Sequence, residues 1–253
     1  MIIVLSWGAA AFVLLLIYMW VEAHLNRVVK KEIFIEGLPE GFQSFNIFFI
    51  SDLHNRRISN RIIKEIRDVA DIVVIGGDVM EKGVSFDKVS ENMKKLSQIA
   101  PCYFVWGNND YEEDPDRLEH ILISKNVHVL NNTAVTLERN GEQISLLGID
   151  DLSTHHYSLD EALASARAKT KILISHNPDI KRELKDDHGI QLLLSGHTHG
   201  GQIRILGFGI REKGGIKQVG ETVVAISNGY GTTTLPLRLM APAESHLFTL
   251  KRK

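Results

Sequence analysis

A chain of 253 residues is long enough for one large or two small domains with a substantial core. Its 29 Lys and Arg stand against 31 Asp and Glu, which leaves no basic footprint for DNA or RNA, so no nucleic-acid partner is expected. The single cysteine, Cys102, excludes an internal disulfide and, within "CYFVW", reads as a small buried apolar residue.

Residues 2 to 21, "IIVLSWGAAAFVLLLIYMWV", carry no charge. A hydrocarbon core is crossed by about 20 apolar residues. The segment lacks the basic start, shorter apolar stretch and small-residue cleavage site of a signal peptide. Residues 1–23 therefore read as an uncleaved single-pass anchor in the lipid bilayer of the cell membrane. Tyr18 and Trp20 fall where an interfacial aromatic belt lies. Arg27, Lys30 and Lys31 follow the span and no Lys or Arg precedes it, which predicts a cytoplasmic C-terminal domain.

Residues 24–44 read as a juxtamembrane linker with a first strand, and 45–253 as the globular domain. "FNIFFIS" (45–51) predicts a buried strand, and "SNRIIKEIRDVA" (59–70) a helix with Ile62, Ile63 and Ile66 on one face. "DIVVIGG" (71–77), "FDKVSENMKKLSQIA" (86–100) and "CYFVWGN" (102–108) repeat the rhythm as strand, helix and strand, with a helix following near 115–125. Such alternation implies a largely parallel sheet. "AVTLERNGEQISLLGI" (134–149) reads as a hairpin turning at "RNGE". A helix near 158–168 follows, with strands in "KILIS", "IQLLLS", "QIRIL", "KQVGETVVAIS" and "SHLFTLKR". The whole reads as a two-sheet α/β domain with helices outside.

The predicted strands end alike. "FFIS" runs into Asp52-Leu53-His54, "VVIGG" into Asp78, and "YFVWG" into Asn108-Asn109-Asp110. "KILIS" runs into His176-Asn177, and "LLLSG" into His197-Thr198-His199. In open α/β sheets the functional crevice lies at the carboxyl ends of the strands, so these clusters should converge. One intervening residue in Asp52/His54 and in His197/His199 puts both members of a pair on one side of an extended backbone. Glycines 196, 200 and 201 then permit a tight turn about the site. Oxygen and imidazole donors without thiolate suit manganese, iron or zinc, and there are more of them than one ion needs. A two-metal centre is expected, of the kind that clamps a phosphoryl group and activates water.

In order, "DLH", "GGD", "GNND", "SHNPD" and "GHTHGG" resemble the five-motif signature of calcineurin-like metallophosphoesterases over roughly residues 45 to 230. The resemblance implies a four-layer αββα sandwich of two mixed sheets, here preceded by one transmembrane helix. It further implies that Asp52, His54 and His199 hold one metal, that Asn108, His176 and His197 hold the other, and that Asp78 bridges. The anchor, "GNND", "GHTHGGQ" and "GYGTTTLPLRLMAPAE" are also similar to a bacterial membrane-associated branch, some members of which are known as hydrolases of the lipid-linked diphosphate UDP-2,3-diacylglucosamine.

Many members of the family carry a histidine after the motif-three asparagine, where it binds phosphate and protonates the leaving group; Asn109 stands here instead. Asn109 is the candidate catalytic residue, able to donate a hydrogen bond to phosphate but not a proton. Good leaving groups, in phosphodiesters or pyrophosphates, are therefore favoured. The expected substrate is a phosphoester or diphosphate, on a membrane-associated or nucleotide-linked lipid. Asp110 is expected to hold a ligand or Asn109 from behind. A metal-binding scaffold without hydrolysis, a protein phosphatase and a nuclease are the alternatives. His155 and His156 read as solvated, Arg238 as half of an ion pair, and His24, His120, His128, His188 and His246 as surface or interfacial residues.

Overall fold

The computed structural model describes residues 2–253, with side chains from Trp7 onward; Met1, part of the predicted anchor, lies outside the described residues. Among the described residues, twelve strands form two six-stranded mixed sheets. The first contains β1 (Val28–Ile35), β12 (Ser245–Arg252), β2 (Asn46–Ile50), β3 (Ile72–Ile75), β4 (Cys102–Phe104) and β5 (Val127–Val129), in that spatial order. β2 through β5 run parallel, whereas β12 is antiparallel to β2. The second has the order β10 (Gly215–Val219), β11 (Thr222–Ile226), β9 (Ile190–Ser195), β8 (Lys171–Ile174), β7 (Glu142–Gly148) and β6 (Thr133–Arg139). Its middle strands β11, β9, β8 and β7 are parallel and its outer pairs antiparallel.

The period-2 alternation of side chains builds the layers. Ile47 and Phe49 of β2 and Ile72 and Val74 of β3 meet Ile172, Ile174, Leu192 and Leu194 of the second sheet. Their neighbours Phe48, Ile50, Val73 and Ile75 point the other way, onto α2 (Asn60–Ile66), α3 (Phe86–Ser97) and α4 (Pro115–Ser124). Leu173 and Leu193 turn from the second sheet toward α5 (Leu159–Ser165). Both faces of these strands are covered, which explains their unbroken apolar runs. The result is the four-layer αββα sandwich, with α1 (Ile2–His24) ahead of it.

The helices start where their sequences provide caps. The side chains of Ser59, Ser85, Asp114 and Ser158 accept from backbone amides at the starts of α2 to α5. α2 stops at Ile66 rather than reaching residue 70, and α5 ends at Ser165. "QIRIL" is not a strand within either sheet; it makes isolated bridges from Ile203 to Leu239 and from Ile205 to Phe208. The three-residue strand β5, too short to show a period, was not evident in the sequence.

α1 is long and apolar enough to cross a membrane, and most of its candidate span is exposed. Met19 and Ala23 are buried, and the Met19 carbonyl accepts from the Arg238 amide at 3.0 Å. The end of α1 is thus docked on the globular domain.

Candidate metal centre

The loops leaving β2, β3, β4, β8 and β9 bring Asp52, His54, Asp78, Asn108, His176, His197 and His199 together at one end of the two sheets. His54 Nε2 lies 3.0 Å from His199 Nε2, and His199 Nε2 lies 3.3 Å from Asp52 Oδ1. His197 Nδ1 lies 3.0 Å from Asn108 Oδ1 and 3.2 Å from His176 Nε2. Asp78 Oδ2 stands between the two groups, 3.2 Å from His176 Nε2 and 3.8 Å from His54 Nε2. Asp52, His54 and His199 form one buried set able to hold a metal, and Asp52, Asp78 and His176 another.

The route by which paired ligands reach the site differs from the expectation. Asp52 and His54 do not lie on extended backbone; their φ angles are 55° and 48°, with Asp78 at 53°, His197 at 68° and His199 at 49°. Left-handed backbone costs about 1–2 kcal/mol per non-glycine residue, so the turns need support. Asp52 N donates to Gly77 O at 2.9 Å, His54 N to Asp78 O at 3.0 Å, and Gly231 N to Asp52 O at 2.7 Å. The His197 amide donates to Asp52 Oδ1 at 3.0 Å. Gly200 and Gly201 are themselves left-handed, whereas Gly196 is needed for close approach, because a Cβ there would strike Asp52 Oδ2 and Ser51.

The donor chemistry fits divalent ions. His176 Nδ1 faces the Gly76 carbonyl at 2.8 Å, which fixes its proton there and turns the Nε2 lone pair into the site. Two nitrogens on one ion, each at 2.0–2.1 Å, stand about 3.0–3.4 Å apart, as the facing imidazoles do. Burial, then the charges of His54 and Arg238, hold His199 well below its ordinary value, so it is neutral and has a lone pair to give. Burial and then His176 lower His197 as well. At His176 burial also works to lower, but the Asp78 carboxylate overrides it and holds the imidazole well above its ordinary value.

Asp110 is fully buried and ties two of these loops together. Its Oδ2 accepts from the Asp78 and Gly107 amides, both at 2.8 Å, and its Oδ1 from those of Val79 and Met80 at 2.8 and 2.9 Å. Burial, followed by the Asp78 charge, pushes it up to about 7, opposed by these donors. Asn109 donates from its backbone to Asp78 Oδ1 at 2.9 Å. Its side chain lines a cleft of about 490 Å³ with Asp78, Asn108, His197 and His199; Ile203, Ile210 and Leu235 line the same cleft.

Residues matching the description calcineurin-like phosphoesterase span 45–201. The chain belongs to this family. It is 40% identical to the protein YpbG of Bacillus subtilis over 235 residues, covering 92% of this chain and 90% of that one. It is 30% identical to the phosphodiesterase YaeI of Escherichia coli, covering 64% and 63% of the two chains. A zebrafish transmembrane protein with a metallophosphoesterase domain is 31% identical, with 89% of this chain aligned to 57% of it. Among solved structures, the 5'-nucleotidase precursor of Thermus thermophilus superposes with a TM-score of 0.54 at 13% identity, over 81% of this chain. The chain spans about half of that protein, 54%, and the likeness establishes the fold alone. The protein is a metal-dependent phosphoester hydrolase.

Several residues escaped the sequence reading or were misjudged by it. Glu81 Oε2 lies 3.0 Å from His54 Nδ1, out of line for a hydrogen bond. Burial works to lower His54, but Glu81, with Asp78 and Asp52, holds it above its ordinary value. Arg238 is not half of an ion pair. It is wholly buried, and its guanidinium donates to the carbonyls of His199, Asn228, Gly229, Gly231, Ala241 and Pro242. Its Nη2 also lies 3.1 Å from His199 Nδ1. The Nη2 hydrogens have nearer acceptors in Gly231 O at 2.6 Å and Asn228 O at 2.7 Å. His246 is buried and stacked on Phe248 rather than at the surface. His155 and His156 are exposed and lie outside the cleft lining.

Proposed function

We propose that the centre is dinuclear and hydrolyses phosphodiester or pyrophosphate bonds, on a membrane-associated or nucleotide-linked lipid substrate. In this reading Asp52, His54 and His199 hold one divalent ion, Asn108, His176 and His197 the other, and Asp78 bridges, with manganese, iron or zinc as the ions. The observation that carries it is the position of Asp78 Oδ2 between His176 Nε2 and His54 Nε2, at 3.2 and 3.8 Å. When bound, such ions supply Lewis-acid stabilisation of the phosphoryl oxygens and a water nucleophile at neutral pH.

The chain's own residues account for the choice of bond. Asn109, the proposed catalytic residue, offers an amide N–H to a phosphoryl oxygen from the cleft wall but has no proton to give a departing alkoxide. None of the cleft-lining side chains outside the ligand set is an imidazole or carboxyl group that would replace it. A leaving group that departs as phosphate or an acidic phenol needs no such help. Arg211 on the cleft wall is a cation available to a second phosphate or a headgroup. Asp110 holds the Asp78 and Gly107 amides in place behind the reacting centre.

In this reading α1 is the anchor that keeps the catalytic domain at a membrane surface, and the basic residues Arg27, Lys30 and Lys31 that follow it favour a cytoplasmic catalytic domain. The test is turnover by the full chain in detergent micelles with Mn²⁺, comparing bis-p-nitrophenyl phosphate, p-nitrophenyl phosphate and a UDP-sugar. Metal content is measured alongside, with Asp78→Ala as control. Two ions per chain, with diester or diphosphate cleavage that vanishes in the variant, is the expected result. One ion per chain, or faster cleavage of an alkyl phosphomonoester than of the diphosphate, refutes the reading.

A further inference from the structure

Hairpin 203–211 presents a second apolar surface outside the core. Ile205, Leu206, Phe208 and Ile210 are 68%, 87%, 82% and 92% exposed, and Leu235 and Met240 beside them are also exposed. Scattered apolar residues on a surface need no explanation, but a contiguous cluster does. The segment is a built hairpin: Ile205 and Phe208 exchange both backbone hydrogen bonds at 2.9 Å. Leu206 and Gly207 between them have φ angles of 51° and 87°, the left-handed pair of a tight two-residue turn. The Arg204 guanidinium bonds the carbonyls of Gly200, Gly207 and Arg211 and holds the apolar tip outward.

Its place in the fold identifies what covers it. Gln202 and Arg204 pair with Leu239, and the next residue, Arg238, donates its amide to Met19 O of α1. Two neighbouring backbone spacings, about 10 Å, therefore separate the base of the hairpin from Met19. A helix needs about 20 residues to cross about 30 Å of hydrocarbon. If α1 spans from residue 2, Met19, flanked by Tyr18 and Trp20, lies at the headgroup boundary. About one helical turn beyond Met19, at the end of α1, lies a cavity of about 480 Å³ lined by Ala23, His24, Arg56, Arg57 and Lys88, with no acidic residue in its lining. Arg211 and Lys213 follow the apolar tip and are exposed. Apolar side chains backed by cations match the boundary of an anionic leaflet.

We propose that hairpin 203–211, together with Leu235 and Met240, docks in the headgroup and acyl boundary of the bilayer that α1 spans. The cleft then opens onto the membrane, and its substrate is an amphiphile whose chains stay in the leaflet while its phosphoester reaches the metal centre. Ile210 and Leu235 line the cleft and belong to the docked surface, so the apolar side of the cleft is continuous with the bilayer. This rests on the phosphodiesterase reading above for its chemistry, but not for its membrane contact.

The test uses the full chain in phosphatidylglycerol and phosphatidylethanolamine vesicles, with an environment-sensitive fluorophore on Phe208→Cys. The native Cys102 is buried and does not compete for the label. The expected result is blue-shifted emission that doxyl-labelled lipids quench. Solvent-like emission overturns the proposal. So does a blue shift that doxyl lipids leave unquenched, since a protein surface such as a second copy would then cover the hairpin.

The kinetic arm compares hexadecyl p-nitrophenyl phosphate in these vesicles with soluble bis-p-nitrophenyl phosphate. For the double variant Leu206→Asp/Phe208→Asp, kcat/KM on the vesicle-borne diester falls about tenfold or more, with the soluble diester unchanged. An unchanged ratio overturns delivery of the substrate from the bilayer. Failure of the unsubstituted chain to cleave either diester refutes the catalytic reading instead, and the quenching result still decides the docking.

Discussion

Replacing Asp110 by asparagine exchanges one carboxylate oxygen for an NH₂ that cannot accept a hydrogen bond. Four backbone amides point at this side chain, two on each oxygen, at 2.8 to 2.9 Å. Whichever way the amide sits, two buried donors lose their acceptor. Each such donor costs about 1–3 kcal/mol, so Asp110→Asn should destabilise the domain by about 2–6 kcal/mol. That is a large share of the roughly 5–15 kcal/mol that holds a domain together. At about 2–4 °C per kcal/mol for a domain of this size, Tm should fall by about 5–20 °C. The tied segments carry Asp78 and Asn108, so turnover should fall further than stability alone explains, by about 100-fold for a shift of about 1 Å. Thermal unfolding of the full chain in micelles, with diester turnover measured well below Tm, reads both effects. A Tm within about 2 °C of the unsubstituted chain, with full turnover, refutes the reasoning.

Gly107→Ala places a methyl group on Asp78 Oδ1 and the Asp78 amide, both held by backbone, so metal content and turnover should both drop at least about tenfold; full metal occupancy by elemental analysis contradicts this. Burial pushes the Cys102 thiol up to about 12, which leaves about one thiolate in 10⁴ at pH 8. Ellman's reagent should therefore react only after denaturation, and rapid labelling of the native chain counts against it. His176 is held well above its ordinary value, with burial opposing and the Asp78 carboxylate raising it. A raised value means that the metal-free site keeps a proton that a metal must displace, so affinity should fall about tenfold per pH unit per displaced proton as pH drops. Calorimetry in buffers of different ionisation enthalpy reads the released protons, and heats independent of buffer refute the displacement.

The convergence of the candidate ligands was legible because each follows a strand whose apolar run is itself legible. "FFIS", "VVIGG", "YFVWG", "KILIS" and "LLLSG" all end on one side of their sheets, as parallel strands must. The local geometry was not legible. A spacing of one residue suggests extended backbone, and only the fold reveals left-handed turns at Asp52, His54, Asp78, His197 and His199. Glu81 and Arg238 were missed or misjudged for a different reason. Glu81 meets His54 across two loops, and Arg238 closes on carbonyls from residues 199 to 242. Such partners are set by tertiary closure and have no local sequence period.

Arg238 also explains why α1 and the candidate metal centre are one structural unit. Its amide is bonded to Met19 of α1, while its guanidinium holds the His199 carbonyl and three carbonyls of the segment 228–231. That segment donates back to the Ser51 and Asp52 carbonyls through Tyr230 and Gly231. The strained turns at Asp52 and His199 are thus restrained through a residue that is itself bonded to α1, and Asp110 restrains Asp78. Burial lowers Arg238 only to about 10, so it stays charged at neutral pH. A buried cation whose two Nη groups bond carbonyl dipoles while its Nε has no partner, with no carboxylate among its hydrogen-bond partners in the described residues, gathers loops without adding a negative charge beside the candidate metal ligands.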